Sequence, residues 1–192
     1  MRRIGLLGGT FDPPHVGHLV VAECARVELE LEQVRLLVAG DPWMKSTVSS
    51  AQDRVALVHA AVAGEVGLVV DDREVRREGP TYSAETLEEL HAEEPDVAWY
   101  FLLGSDAALD LPSWERGAEA LRLAQFVVVT RPGHRVDGAP RQVQDLPQLE
   151  VPELDISSTA LRERYRQGGA TRFLIPPAVD DQVRELGLYG TR

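Results

Sequence analysis

The chain has 192 residues, enough to bury a substantial core, and with 44% apolar and 27% charged residues it falls among globular rather than disordered sequences. Its net charge of −11 excludes a broad basic face for a nucleic-acid backbone, because such faces need clustered Lys and Arg. A small anionic ligand stays compatible with that charge if basic groups gather in one pocket.

In chain order, short apolar runs alternate with helical patterns. Residues Arg3–Leu7 read as a strand. They lead into the segment GGTFDPPHVGH, Gly8–His18, and then into HLVVAECARVEL, which has helical spacing and good helix formers. Val34–Ala39 is a second strand. Ser50 precedes Asp53 by three residues, a capping-box-like start to a helix over SAQDRVALVHAAVA. Gly67–Asp72 is a third strand, and Ser83 is the expected N-cap of a helix over SAETLEELHAEE. Val97–Gly104 and Gln125–Thr130 are the fourth and fifth strands, with the helical stretch AEALRLA between them. Arg131–Gln148 is poor in apolar residues, broken by proline and glycine, and the most linker-like stretch. It and the Asp41–Ser50 loop are the candidates for movement. LEVPELD reads as extended, and SSTALRERYRQGG as a helix with serine at its start and glycine at its end.

Strands apolar along their whole length are those buried on both faces of a parallel sheet. Their alternation with helices predicts an α/β class protein, a Rossmann-like doubly wound parallel sheet forming one domain over residues 1–192. Ligands in that fold sit at the carboxyl ends of strands. Four places follow: after Leu7, after Ala39, after Leu103 and before Thr159. The single cysteine, Cys24, excludes an intrachain disulfide. The apolar run at the start is too short for a signal peptide and ends in glycine and proline, and nothing approaches membrane-span length. A cytoplasmic protein without membrane or nucleic-acid partners is expected; the oligomeric state is left open.

The Gly8–His18 segment carries the chemistry. Gly8 and Gly9 are expected to let the backbone turn sharply after the strand, and Pro13 and Pro14 to delay the helix until Val16 or Gly17. His18 then lies in the first helical turn and His15 just before it. A helix N-terminus favours an anion, and two imidazoles there can donate to phosphate oxygens, more strongly when protonated. Two other readings stand beside this one: histidines that only cap a helix, and a metal pair, for which no further His or Cys follows at ligand spacing. The segment is neither a G-x-G-x-x-G fingerprint nor a P-loop.

GGTFDPPHVGH resembles the T/HxGH signature of the nucleotidyltransferase superfamily. In the form GGTFDP-x-H-x-GH it is similar to the bacterial nicotinate-nucleotide adenylyltransferase family. That resemblance implies transfer of AMP from ATP to nicotinate mononucleotide, giving deamido-NAD and pyrophosphate in NAD biosynthesis. It implies that His18 binds the α-phosphate, that His15 and Arg162 hold the β- and γ-phosphates, and that Gly8, Gly9, Thr10 and Phe11 belong to the ATP loop.

Further motifs follow in the family's order. DISSTALRERYRQGG resembles its I-S-[SA]-T-x-[IL]-R segment, where Ser157, Ser158, Thr159 and Arg162 bring hydroxyls and a guanidinium to one helix start; a capped surface helix is the plainer reading. FLLGSDAALDLPSW resembles the G-x-D…W segment, implying that Gly104 and Asp106 contact the ATP nucleoside and that Trp114 stacks on the nicotinate ring; otherwise Trp114 is a core aromatic, as Trp99 is expected to be. GPTYSAETL resembles the P-[ST]-Y-T-x-x-T-L segment, placing Tyr82 and Ser83 against the pyridine acid, with Ser83 where the family usually has Thr. VAGDPWMKS departs from the family's P-x-x-P-H-K, and only Pro42 and Lys45 correspond. Lys45 is the only lysine among the 20 basic residues and the expected contact for the mononucleotide phosphate; its plainer reading is a solvated loop lysine. The closing RELGLYG is similar to the family's G-L-Y and reads as structural.

Mg²⁺ is expected to arrive with ATP, keeping several waters, since no dedicated metal cage is visible. Two alternatives to nicotinate mononucleotide transfer differ in what they require. An adenylyltransferase for nicotinamide mononucleotide or phosphopantetheine would share the first and last motifs. A non-catalytic nucleotide sensor could dispense with His15, His18 or Arg162, all of which are present.

Overall fold

The structure is a computed structural model that describes residues 1–41, 48–133 and 139–191. Six strands form one sheet: β1 (Arg2–Gly9), β2 (Gln33–Val38), β3 (Leu68–Asp71), β4 (Val97–Gly104), β5 (Gln125–Thr130) and β6 (Gln148–Glu150). Their order is β3-β2-β1-β4-β5-β6, and every adjacent pair is parallel. The chain therefore winds outward in one direction from β1 to β3 and in the other from β4 to β6. The crevice where the direction switches opens between the carboxyl ends of β1 and β4, the place such sheets reserve for ligands.

The continuous apolar strands serve two cores at once. Successive side chains of a strand point to opposite faces. Tyr100, Leu102, Val127 and Val129 enter one cluster with Leu36, Leu57, Val58 and Val179. Ile4, Leu6, Trp99, Phe101, Phe126 and Val128 enter the other with Leu87 and Leu90. Trp99 is thus the core aromatic expected of it, with the Arg35 guanidinium over its ring.

The main helices are α1 (Val16–Glu28), α2 (Ala51–Val62), α4 (Ser83–Glu93), α6 (Gly117–Leu123), α8 (Ser158–Arg166) and α9 (Pro177–Glu185); α3 (Arg73–Arg76), α5 (Ser105–Asp110) and α7 (Arg141–Gln144) are single turns or little more. Ser50 caps α2 as expected, its Oγ accepting from the Asp53 amide at 3.1 Å. Four helices go beyond the sequence reading. α9 carried the signal for one: proline at its first position, then Val179 and Val183 four apart on one buried face. α7 lies inside the stretch that reads as linker, with Val143 fully buried. α3 and α5 are too short to show a period. No helix among the described residues is long and apolar enough to cross a membrane.

Candidate active site

The end of β1 builds the centre of the site. The sharp turn there is not made by the glycines, as expected from sequence, but by Phe11, which takes φ +50°. Gly8 and Gly9 are the last two residues of the strand. Gly9 is needed for a different reason: a Cβ there would lie 2.9 Å from the Phe11 ring, which folds back over it. The buried Phe11 ring in turn meets His18 edge-on, with centroids 5.0 Å apart. Phe11 therefore supports a histidine with its side chain.

α1 starts at Val16, with His15 in the N-cap position and His18 in the first turn. The two imidazoles stack at 3.8 Å between centroids. His18 Nδ1 accepts a hydrogen bond from the His15 backbone N–H at 3.1 Å. In a neutral imidazole the proton then sits on Nε2. Burial pushes the His15 ring down to a pKa of about 4, so it is neutral at neutral pH. The added strength expected from protonation is thus not available to His15 in this state. Two opening amides of α1 are also already used: Val16 donates to Leu174 O at 3.1 Å and His18 to His15 O at 2.9 Å.

The loop between β1 and α1 is held from distant parts of the chain. Asp12 is buried, and its Oδ2 accepts from the Val48 amide at 2.7 Å. Its Oδ1 accepts from the Tyr189 hydroxyl at 2.6 Å. Burial alone would raise the Asp12 pKa, but the hydrogen bonds from Tyr189 and the Val48 amide outweigh it and hold the carboxyl below its usual range. Arg54, also buried, donates to Thr10 O and to Gly40 O, both at 3.0 Å. One guanidinium therefore joins the loop after β1 to the loop after β2.

The second motif docks onto the first. Ser157 caps α8, its Oγ accepting from the Ala160 amide at 3.2 Å. Ser158 Oγ donates to Pro13 O at 2.8 Å, and Arg162 donates to Asp12 O at 2.8 Å and to Thr159 Oγ1 at 3.2 Å. The Ser158 hydroxyl, expected at a phosphate, is thus engaged with the loop. Half-buried Arg162 is thereby tied to the loop that leads to the histidines, with α8 docked on that loop by these bonds.

The acceptor-side candidates lie on the flanks. Gly40 packs so tightly on the α3 turn that a Cβ would fall 2.1 Å from Glu74 O and 3.3 Å from Thr81 Cγ2. This brings the Thr81–Ser83 segment against the end of β2. The N-cap of α4 is Tyr82 and not Ser83: the Thr86 amide bonds to Tyr82 O at 3.2 Å, and Ser83 is the first helical residue. Gly104 caps α5 at the end of β4, and exposed Asp106 is in its first turn. Trp114 is half-buried, edge-on to Phe101 at 6.1 Å and to Phe126 at 6.4 Å. One side of its indole thus belongs to the core. Lys45 lies outside the described residues.

Asp12, Arg54 and Ser49 escape the sequence reading as site-supporting residues, although Arg54 left a trace; Tyr189 lies in the RELGLYG segment read as structural, but its contact with Asp12 is not anticipated there. Arg54 sits three and four residues before Leu57 and Val58, on the buried face of α2. An arginine in a core-facing row needs partners inside. Among the described residues no group of three His, Cys, Asp or Glu could hold a metal ion. A depression of about 710 Å³ at the amino ends of the strands is lined by Arg2, Arg3 and Arg26. Those arginines are paired with Glu32, Glu30 and Glu23.

Residues 6–164 match the cytidylyltransferase-like family model. A protein of Synechococcus sp. (strain JA-3-3Ab) named "Probable nicotinate-nucleotide adenylyltransferase" is 42% identical over 196 residues, covering 98% of this chain and 95% of its own. One of the same name from Exiguobacterium sibiricum is 40% identical, covering 98% of this chain and all of its own. Among solved structures, Plasmodium falciparum nicotinic acid mononucleotide adenylyltransferase complexed with NaAD shares the fold at a TM-score of 0.82 and 20% identity, covering 100% of this chain and 99% of its own. A Vibrio parahaemolyticus structure described as a putative nicotinate-nucleotide adenylyltransferase superposes at 0.70 with 19% identity, covering 98% of this chain and 96% of its own. The chain belongs to the cytidylyltransferase-like family and, within it, to the nicotinate-nucleotide adenylyltransferases.

Proposed function

We propose that the chain transfers the adenylyl group of ATP to nicotinate mononucleotide, releasing pyrophosphate, and that it does so in the cytoplasm as a step of NAD biosynthesis. The observation that carries this reading is the pair of stacked imidazoles at the helix start, with Arg162 bonded to the Asp12 carbonyl in the loop that leads into them. A phosphate oxygen of the mononucleotide forms a bond to the α-phosphorus, and the bond from that phosphorus to the bridging oxygen of the β-phosphate breaks. The nucleophile is already an anion, so catalysis is positioning and charge stabilisation.

His18 is assigned to the α-phosphate. With Nδ1 occupied by the His15 amide, it is Nε2 that donates. His15 and Arg162 hold the β- and γ-phosphates, assisted by Thr10 and Thr159, with Gly8 and Gly9 letting the chain approach. Gly104 and Asp106 face the nucleoside from the neighbouring strand end. Tyr82, Ser83 and Trp114 take the pyridine acid, and Lys45 its phosphate. Mg²⁺ enters with ATP, held by its phosphates and several retained waters, in keeping with its reluctance to dehydrate.

Pyrophosphate release from ATP and Mg²⁺ across a panel of mononucleotides tests the reading. Nicotinate mononucleotide is expected to be the preferred acceptor. A preference for nicotinamide mononucleotide would overturn the acid specificity, and no release with any acceptor would turn the assignment to a nucleotide sensor.

A further inference from the structure

The three-residue turn Leu188–Gly190 near the end of the chain reaches back 177 residues to the loop after β1. Tyr189 is buried there, in the left-handed region at φ +55°, between Gly187 at +64° and Gly190 at +86°. A non-glycine residue adopts that conformation only when its surroundings hold it. What holds this one is polar: the hydroxyl donates to Asp12 Oδ1 at 2.6 Å and accepts from Ser49 Oγ at 3.0 Å. The other Asp12 carboxylate oxygen is held by the Val48 amide, and its backbone carbonyl accepts from Arg162. Asp12 is thus touched by the C-terminal turn, by Val48 and by Arg162.

We propose that Tyr189 is a positioning residue for adenylyl transfer, acting through Asp12 to fix the loop that carries His15 and the carbonyl on which Arg162 rests. This rests on the adenylyl-transfer reading above. Without the hydroxyl, Asp12 Oδ1 loses its partner in a buried setting, and the carboxylate must turn toward another donor or water. The loop that follows it would shift with it. Displacements of about 1 Å in a positioned group cost up to about 100-fold in rate, while contacts that bind both substrates equally survive. The signature of such a role is therefore a fall in kcat with little change in KM.

The molecule supplies its own control. Tyr165 Oη donates to Asp180 Oδ1 at 2.6 Å, and its ring lies 5.8 Å from that of Tyr189. This is the same kind of pair in the same neighbourhood, but it does not touch the loop. Tyr189→Phe is expected to lower kcat by about ten- to 100-fold, with KM for ATP and for nicotinate mononucleotide within about threefold. Tyr165→Phe is expected to lower Tm but to keep kcat within about twofold. The proposal is overturned if Tyr189→Phe keeps kcat within twofold, or if Tyr165→Phe loses kcat by the same factor. Should Tyr189→Phe not fold, Ser49→Ala decides. It removes the Ser49 hydroxyl, which bonds the tyrosine oxygen and the Asp12 carboxylate and so belongs to the same network; a fall of about threefold in kcat at unchanged Tm supports the proposal and unchanged kcat overturns it. An inactive wild-type chain would be seen before any variant is compared, and would overturn the adenylyl-transfer reading and this proposal with it.

Discussion

His18 Nδ1 accepts the backbone N–H of His15 across 3.1 Å, so one imidazole nitrogen is tied to the start of α1, while the proposed α-phosphate contact falls to the other. The division can be separated by mutation. Asparagine places an acceptor where Nδ1 stands but has nothing at Nε2. His18→Asn should therefore keep the wild-type Tm within a few degrees while losing about 10²–10³-fold in kcat, the usual cost of removing one donor to a developing charge. His18→Ala should lose both the stability and the rate. Thermal unfolding and steady-state turnover on the same preparations check this. An Asn variant with substantial turnover would reassign the α-phosphate contact.

The neighbouring ring gives a stability prediction with a definite sign. Burial holds His15 at about 4 in the fold, against about 6.5 when unfolded. Between those values the unfolded chain binds a proton that the folded chain refuses, so stability rises with pH. The contribution is complete above pH 6.5, falls away as pH drops, and is lost below pH 4, by ~3 kcal/mol at most. Asp12 and other carboxylates held below their usual range add slopes of the same sign at lower pH. The difference between wild type and His15→Gln isolates the histidine. Urea unfolding from pH 4 to 7.5 should show the two stabilities diverging only below about pH 6.5; parallel curves would show that His15 is not held neutral.

Much of the site was legible in the chain because its parts are local. The strand itself, read as ending at Leu7 though it runs on to Gly9, the proline delay and the histidines three apart all fall within one short segment. Their positions in α1 follow from helix-start chemistry. The misplaced turn shows the limit of that logic. Gly9 looked like the hinge because glycine often is one, yet its role is set by an aromatic ring two residues on, which no local rule anticipates. The pairings among the supporting residues were invisible for a similar reason. Asp12 and Tyr189 are 177 positions apart, and Arg54 is 44 positions from Thr10. Such pairings depend on the way the sheet winds. Only the placement of Arg54 on an apolar helical face hinted that it was internal.

That arginine carries the next prediction. Arg54 donates to the carbonyls of Thr10 and Gly40, one in each half of the site. Removing it leaves two part-buried acceptors without their guanidinium partner, each costing up to ~1–3 kcal/mol. Arg54→Met, which keeps the length but not the donors, should destabilise by ~2–5 kcal/mol and raise KM for both substrates, because both loops lose a common anchor. Arg54→Lys should fall between, since an ammonium reaches one carbonyl more readily than two diverging ones. Urea titration and paired KM measurements test this. A rise confined to one substrate would mean that the guanidinium serves only one loop.

Trp114 separates the two readings that its sequence context left open. Its indole packs edge-on against Phe101 and Phe126, so part of the ring supports the core beneath α6. If the half-buried remainder also stacks on the pyridine of the acceptor, truncation will have two separable consequences. Trp114→Ala should destabilise by ~2–4 kcal/mol through lost packing. It should also raise KM for nicotinate mononucleotide about tenfold, with KM for ATP within about twofold, consistent with ~1 kcal/mol for an aromatic stack. Trp114→Phe keeps a flat ring and should recover most of the acceptor affinity while repairing only part of the packing. The comparison that decides is acceptor KM against Tm across the two variants. If KM follows Tm in both, the indole acts only as core; if Phe restores KM while Tm stays low, it is a recognition surface for the acid.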